Sequence, residues 1–163
     1  MRIDLEKFQQ ADFGHYFALV SDERVMAQIT ERSIPIEEAQ RNFEALLLRN
    51  KKYGEAGSYK IYDRFSREYI GLGHITPDEK VNGVAEIGYM ILPQYWGKGY
   101  GTKVARALIV KAEEAGVECL KAIIDPANIP SRKILYKHGF ASEKVCEMDG
   151  LPGEILSKVL ERY

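Results

Sequence analysis

Ala85-Glu86-Ile87-Gly88-Tyr89-Met90-Ile91-Leu92-Pro93-Gln94-Tyr95-Trp96-Gly97-Lys98-Gly99-Tyr100-Gly101-Thr102 begins as a strand, breaks at a proline and ends in alternate glycines. Residues 84–92 read as a strand that Pro93 closes. Gly97, Gly99 and Gly101 stand where it hands over to a helix over 100–115, with Val104, Leu108, Ala112 and Ala115 on one apolar stripe and Gly116 as its stop. A glycine-rich strand-to-helix turn lets backbone approach a phosphate closely, and its free N–H groups and the helix dipole favour negative charge. Spacing excludes two competing phosphate binders. A Walker loop needs Gly-Lys followed by Ser or Thr, whereas Lys98 precedes Gly99 and Lys103 precedes Val104; a dinucleotide fingerprint needs glycine at 102, which is Thr.

Working outward, strands over 57–63, 68–76 and 84–92 are separated by the turn-rich segments 64–67 and 77–83 and read as an antiparallel meander. That meander argues against a doubly wound sheet, which would place a crossover helix before this strand. Further upstream, residues 2–8 alternate as a short strand, Asp12 is a candidate N-cap for a helix over 13–20, and a second short helix covers 22–28. A longer helix runs over 35–51, with Ile36, Ala39, Phe43, Leu46 and Leu47 on one face. Downstream, a strand over 118–125 follows the glycine-led helix. Strand, helix, strand with short connections implies a right-handed crossover, so 84–92 and 118–125 are expected to be parallel. Asp125-Pro126 ends that strand, Pro130 lies in the opening turn of a helix reaching His138, and strands over 141–148 and 154–161 flank a hairpin-like turn at 149–153.

A chain of 163 residues with 45% hydrophobic and 29% charged residues suits one domain over 1–163. Lys plus Arg (23) nearly cancel Asp plus Glu (24), so no global field draws the protein to nucleic acid or an anionic membrane. No apolar run reaches the ~18 residues of a membrane span and residues 1–7 form no signal-peptide core, so the expected location is cytoplasmic. Cys119 and Cys146 stand alone and read as small buried apolar residues; His15, His74 and His138 show no ligand spacing and read as structural or surface groups, so no metal is expected.

The stretch from Ala85 to Thr102, followed by Asn128-Ile129-Pro130-Ser131-Arg132-Lys133-Ile134-Leu135-Tyr136-Lys137-His138-Gly139-Phe140, closely resembles the two cofactor motifs of the GNAT acetyltransferases, in particular the branch of ribosomal-protein and polyamine N-acetyltransferases. The resemblance extends to element order over nearly the whole chain. It implies an α/β (α+β) GNAT fold: a mixed, mostly antiparallel sheet of six to seven strands, about four flanking helices, and a splayed parallel pair at 84–92 and 118–125. It further implies transfer of an acetyl group from acetyl-CoA to a primary amine, on a small molecule or a protein N-terminus, by direct attack in a ternary complex. A homodimer through the late strands, common in relatives, stays open. So does a non-catalytic acyl-CoA-binding module, because Leu135 stands where the family carries a catalytic Tyr.

The family's Arg/Gln-x-x-Gly-x-Gly/Ala motif aligns its glycines with Gly99 and Gly101 and leaves Trp96 at the Arg/Gln position. The resemblance assigns pyrophosphate binding to the amides of Lys98, Gly99, Tyr100, Gly101 and Thr102, and strand-like pairing with the pantetheine arm to Met90, Ile91 and Leu92. Asn128 is expected to bond the same arm, and Ser131 is counted with it among the cofactor-binding residues. For chemistry, an amine protonated at neutral pH needs a base, and the departing thiolate benefits from an acid. Glu86 is the candidate base, against the alternative of a strand-face Glu paired with a neighbouring Lys or Arg. An oxyanion donor is expected from a backbone N–H near Met90. Ser131 and Tyr136 are the candidate acids; Tyr136 lies one residue, about 100° of helix rotation, from the family position, while Ser131 shares a helix face with Leu135. Acidic residues of the loop 21–34, namely Asp22, Glu23 and Glu31, are candidates for holding a cationic amine.

Overall fold

In the computed structural model, which describes residues 2–27 and 29–160, seven strands join one sheet. They are β1 (Ile3–Lys7), β2 (Gly57–Asp63), β3 (Tyr69–Pro77), β4 (Val84–Ile91), β5 (Cys119–Ile124), β6 (Ala141–Met148) and β7 (Leu151–Val159). Their spatial order is β1-β2-β3-β4-β5-β7-β6. Around them lie α1 (Phe13–Val20), α2 (Glu23–Met26), α3 (Ile36–Lys52), α4 (Tyr100–Glu114) and α5 (Ile129–Lys137). Every strand pair is antiparallel except β4 and β5, as the crossover rule requires. That parallel pair is short: it holds from Val84↔Cys119 to Glu86↔Lys121, after which the two strands part. The gap between them is the feature that positions the site.

Alternation along β3 and β4 sends successive side chains to opposite faces. Leu72 and Met90, cross-strand partners, pack with the cluster that α1 and α3 close through Leu19, Phe43 and Leu46. Ile75 and Ile87, also partners, face the other way into the cluster of Val104, Leu108 and Ala112 from α4. Gly73 lets α4 approach, since a Cβ there would stand 3.1 Å from a Leu108 methyl. The periodicity expected of 35–51 and 100–115 is thus realised as two helical layers on the two faces of one sheet.

Three local readings are corrected. Asp12 does not cap α1; its carboxylate accepts from the Gln9 amide at 2.7 Å and pairs with Lys60 at 2.9 Å, because the inward-facing ammonium of β2 needs a counter-charge. The last turn is a tight hairpin of two residues, Asp149 (φ 52°) and Gly150 (φ 80°), so β7 starts at Leu151 and not at 154. Cys119 and Cys146 are half-buried, not buried. Of the expected helix over 22–28 the residues up to Met26 are helical, while Gln28 and residue 161 of the expected last strand lie outside the described residues. No helix among the described residues is long and apolar enough to cross a membrane.

Candidate active site

A cleft of about 910 Å³ opens where β4 and β5 part. One wall is the turn into α4, another the start of α5, and the third the face of β3 and β4 that carries His74 and Glu86. It brings together Glu86, Met90, Ile91, Gly99, Tyr100, Gly101, Thr102, Asn128 and Ser131 of the expected site residues; Leu92, Lys98 and Tyr136 are not part of its lining.

Pro93–Tyr95 form a single 3-10 turn after β4, and the chain then passes through Gly97 (φ 72°) and Gly99 (φ 87°) before α4 begins. Both glycines are required by conformation and not by crowding, because an added Cβ would meet nothing within 4 Å but would be forced into the left-handed region. Gly99 occupies the N-cap position of α4 and supplies no capping side chain. The amides of Tyr100, Gly101 and Thr102 therefore open the helix without a partner among the described residues, facing a concave wall. Gly101 differs: a Cβ there would stand 2.8 Å from the Ile134 Cδ1, so its smallness sets how closely α4 and α5 approach. The Tyr100 side chain turns away and donates to Asp63 at 2.7 Å; that hydrogen bond, with burial, pushes its phenol up to about 12. Only its amide serves the cleft. The Lys98 ammonium sits over the Tyr95 ring at 6.0 Å.

The strand edge narrows the backbone expectation. Leu92 N–H donates to Ile70 O at 2.9 Å, which by the alternation of antiparallel ladders commits that N–H and the main chain of Met90 and Gly88 to β3, while the Leu92 carbonyl accepts from the Tyr95 amide at 3.0 Å. The peptide groups of Tyr89 and Ile91 point toward the gap instead. The Ile91 carbonyl already accepts from the Trp96 indole N–H at 2.7 Å. Trp96, the residue that departs from the family pattern, thus pins the glycine turn to the end of β4.

Glu86 is half-buried in the cleft wall, and burial alone raises its pKa above the usual carboxylate value. Among the described residues no cation pairs with it; its cross-strand neighbour Lys121 bonds Glu143 at 3.4 Å instead. Ser131 lines the cleft in the first turn of α5, where its amide donates to the Asn128 side chain at 3.3 Å. The Asn128 amide nitrogen is left for the cleft. Beside Ser131 lies a group that the sequence did not single out, Tyr89, whose buried hydroxyl has no hydrogen-bond partner at bonding geometry. Burial raises its pKa, and the neighbouring Ser131 opposes that shift only in part. A strand tyrosine gives no sequence signal of this kind, because it reads equally well as core.

Tyr136 is placed elsewhere. Its hydroxyl accepts from Arg132 at 3.1 Å, and the same guanidinium bonds the fully buried Glu154 at 2.9 Å. One residue of helix register turns it out of the cleft, and Leu135, 2% exposed, lines the wall in its stead. In the loop of acidic candidates, Asp22 caps α2 through the Arg24 amide at 2.8 Å and pairs with the Arg24 guanidinium at 2.9 Å. Glu31 borders a small hollow beside the cleft with Leu151 and Pro152 and with Ile29 and Asp125, which line both.

Residues 2–141 match the family model of the acetyltransferase (GNAT) domain. The chain belongs to the GNAT acetyltransferase family. Its similarity to YnaD of Bacillus subtilis, described as an uncharacterized N-acetyltransferase, is 28% identity over 87% of this chain and 81% of that protein. The p20 protein of Bacillus licheniformis, likewise described as an uncharacterized N-acetyltransferase, is 31% identical over 55% of this chain. This chain covers 51% of p20 and 57% of another relative, YkkB of Bacillus subtilis, about half the length of each. Among solved GNAT folds, spermidine N-acetyltransferase from Vibrio cholerae in complex with CoA and spermine superposes with a TM-score of 0.82 at 14% identity, over 97% of this chain and 95% of that one. The yncA structure from Salmonella typhimurium with its cofactor acetyl-CoA gives 0.76 at 18% identity, over 100% and 96%. At such identities the likeness is one of fold.

Proposed function

We propose that this GNAT domain is an acetyl-CoA-dependent N-acetyltransferase that moves an acetyl group to a primary amine by direct attack within a ternary complex. One observation carries the reading: the uncapped amides opening α4 and the half-buried, unpaired Glu86 are walls of one cleft. The residues present suit the cofactor. Partnerless amides at a helix N-terminus suit a pyrophosphate, and the orphaned Tyr89 hydroxyl, the gap-facing peptide group of Tyr89 and the Ile91 N–H suit a polar arm laid along β4, the Ile91 carbonyl being already taken by Trp96.

Acetyl-CoA, when bound, supplies the acetyl group as an activated thioester. The protein's part is positional and protonic. The amides of Tyr100, Gly101 and Thr102 hold the diphosphate end, and the Asn128 amide and the β4 edge align the arm between the parted strands. A main-chain N–H of that edge polarises the carbonyl. Glu86, ionised but with its basicity raised by burial, takes a proton from the incoming ammonium at a carboxylate oxygen. Ser131 Oγ–H is the proton donor on the cofactor side, with the Tyr89 hydroxyl beside it as the group that orients and reprotonates it.

Incubation with acetyl-CoA and a panel of primary amines, followed by mass detection of acetylated product and calorimetric titration with CoA, tests this reading. CoA binding together with acetylation of at least one amine is the expected result. Tight CoA binding with no acetylated amine would leave a non-catalytic acyl-CoA-binding module, the reading that Leu135 favours by lining the wall without a hydroxyl.

A further inference from the structure

His74 lines the same cleft and has no task in the scheme above. It stands on β3 directly opposite Gly88, on the face shared by Leu72, Glu86 and Met90. Its Nδ1 lies 3.0 Å from Thr76 Oγ1, and Thr76 is in turn the cross-strand partner of Glu86. A Cβ at residue 88 would stand 2.4 Å from the imidazole Nε2, so the ring fills the space that a side chain there would need. Imidazole and carboxylate therefore flank the same short run of β4, from Glu86 to Gly88. Protein encloses most of the ring, which is among the residues lining the cleft; burial, helped by the charge of Arg49, pushes its pKa down to about 4 and keeps it neutral. In the tautomer that gives Nδ1–H to Thr76, Nε2 presents a lone pair.

The rest of this wall is apolar. Val25, Ile29, Leu72 and Met90 contribute to it, and Ile29 is left 45% exposed at the mouth. Among the described residues, the guanidinium on the rim, that of Arg24, is already given to Asp22 at 2.9 Å. Of the two carboxylates near the mouth, Glu31 lines only the small adjoining hollow, whereas Asp125 lines the cleft as well and its carboxylate is engaged by the Ala127 amide at 2.9 Å. An attacking amine needs its N–H bonds held so that its lone pair faces the acyl carbon, and two acceptors do this better than one.

Resting on the acetyltransferase reading, we propose that the acceptor is a primary amine on an uncharged, apolar body, with its nitrogen held between the Glu86 carboxylate and Nε2 of His74. The amine thus loses one proton to Glu86 and keeps a hydrogen bond to His74. His74 is in this account a catalytic residue for acceptor alignment, and Gly88 is the residue that makes room for it.

Hexylamine and 1,6-diaminohexane, which differ by one ammonium at matched length, are the probes. The wild type is expected to acetylate hexylamine with kcat/KM at least about tenfold above the diamine, the order of effect of leaving one charge in an apolar wall. His74→Asn, which keeps the Thr76 bond but removes the acceptor at Nε2, is expected to lower kcat/KM for hexylamine by about 10- to 100-fold with the CoA Kd unchanged. His74→Gln, which returns an acceptor near Nε2, is expected to recover part of the loss. Gly88→Ala is expected to match the His74→Asn loss in the wild type and to add little in His74→Ala, where the ring no longer collides with the new methyl. Preference for the diamine, or equal activity of His74→Asn and wild type on hexylamine, would overturn the proposal alone. CoA binding without turnover of any amine would overturn it together with the acetyltransferase reading.

Discussion

Glu86 and Ser131 sit on opposite sides of the parted strands, and the pH dependence of turnover separates their roles. Burial raises the Glu86 pKa, so its carboxylate is protonated and unable to accept a proton below that value, and becomes competent as pH rises through it. The amine-dependent kcat/KM is accordingly expected to climb with pH along a limb displaced above the ordinary carboxylate range. In Glu86→Gln that limb is expected to vanish, leaving only the rise due to the amine's own deprotonation; an unchanged profile would contradict the assignment. Ser131→Ala is expected to lower kcat by about tenfold, the low end for loss of a proton donor, while leaving CoA affinity within twofold. Tyr89→Phe is expected to reproduce a part of that loss, measured by the same steady-state assay. Tyr136→Phe, which touches only the Arg132 and Glu154 cluster, is expected to leave kcat unchanged. At this scale the sequence was least informative. Which strand residues face a cleft depends on the register of β3 against β4, so neither the opposition of His74 and Gly88 nor the orphaned hydroxyl of Tyr89 has a local signature.

In the proposed function α4 is the element that organises cofactor binding, and its placement rests on backbone conformation at one end and packing along its body. Gly99 holds φ 87° at the N-cap, so Gly99→Ala is expected to cost about 1 kcal/mol of stability from left-handed strain. The same substitution tilts the opening amides, and weaker CoA binding by calorimetry is the expected companion; full affinity would argue that these amides do not hold the diphosphate. The body of the helix is fixed by Leu108, fully buried above Gly73. Leu108→Ala is expected to lower the unfolding free energy in urea by about 3 kcal/mol, from lost burial and the cavity left behind. These elements were readable in advance, because alternate glycines before an apolar stripe and a closing Gly116 dictate a helix start, face and stop. What failed was capping by side chains with a stronger claim elsewhere: Asp12 answers the inward Lys60 of β2 instead of the amides of α1. Tyr136, kept among the candidate acids, lies outside the cleft, because the one residue of helix register that separates it from the family position places Leu135 inside in its stead.

Across the whole molecule, a sheet that is antiparallel on both flanks carries a single parallel step, β4 to β5, and pairing there lasts only to Glu86↔Lys121. The meander and the crossover rule predicted the β2-β3-β4 run and the parallel step to β5, and the family resemblance implied the fold class, while the insertion of β7 between β5 and β6 has no local signal in the sequence. The acceptor was not, because its wall is assembled from α2, the following loop and two strands whose proximity arises only on folding. Near-balance of charge leaves recognition to this cleft rather than to a global field. The central claim is that one cleft carries both a cofactor end and a base. It is tested most directly by amine-dependent release of CoA thiol at saturating acetyl-CoA, compared between wild type and Glu86→Gln of equal CoA affinity. The account predicts release that requires an amine and falls by about 100-fold or more in the variant. Release as fast in Glu86→Gln as in wild type, or a wild type whose release no amine increases, would contradict it.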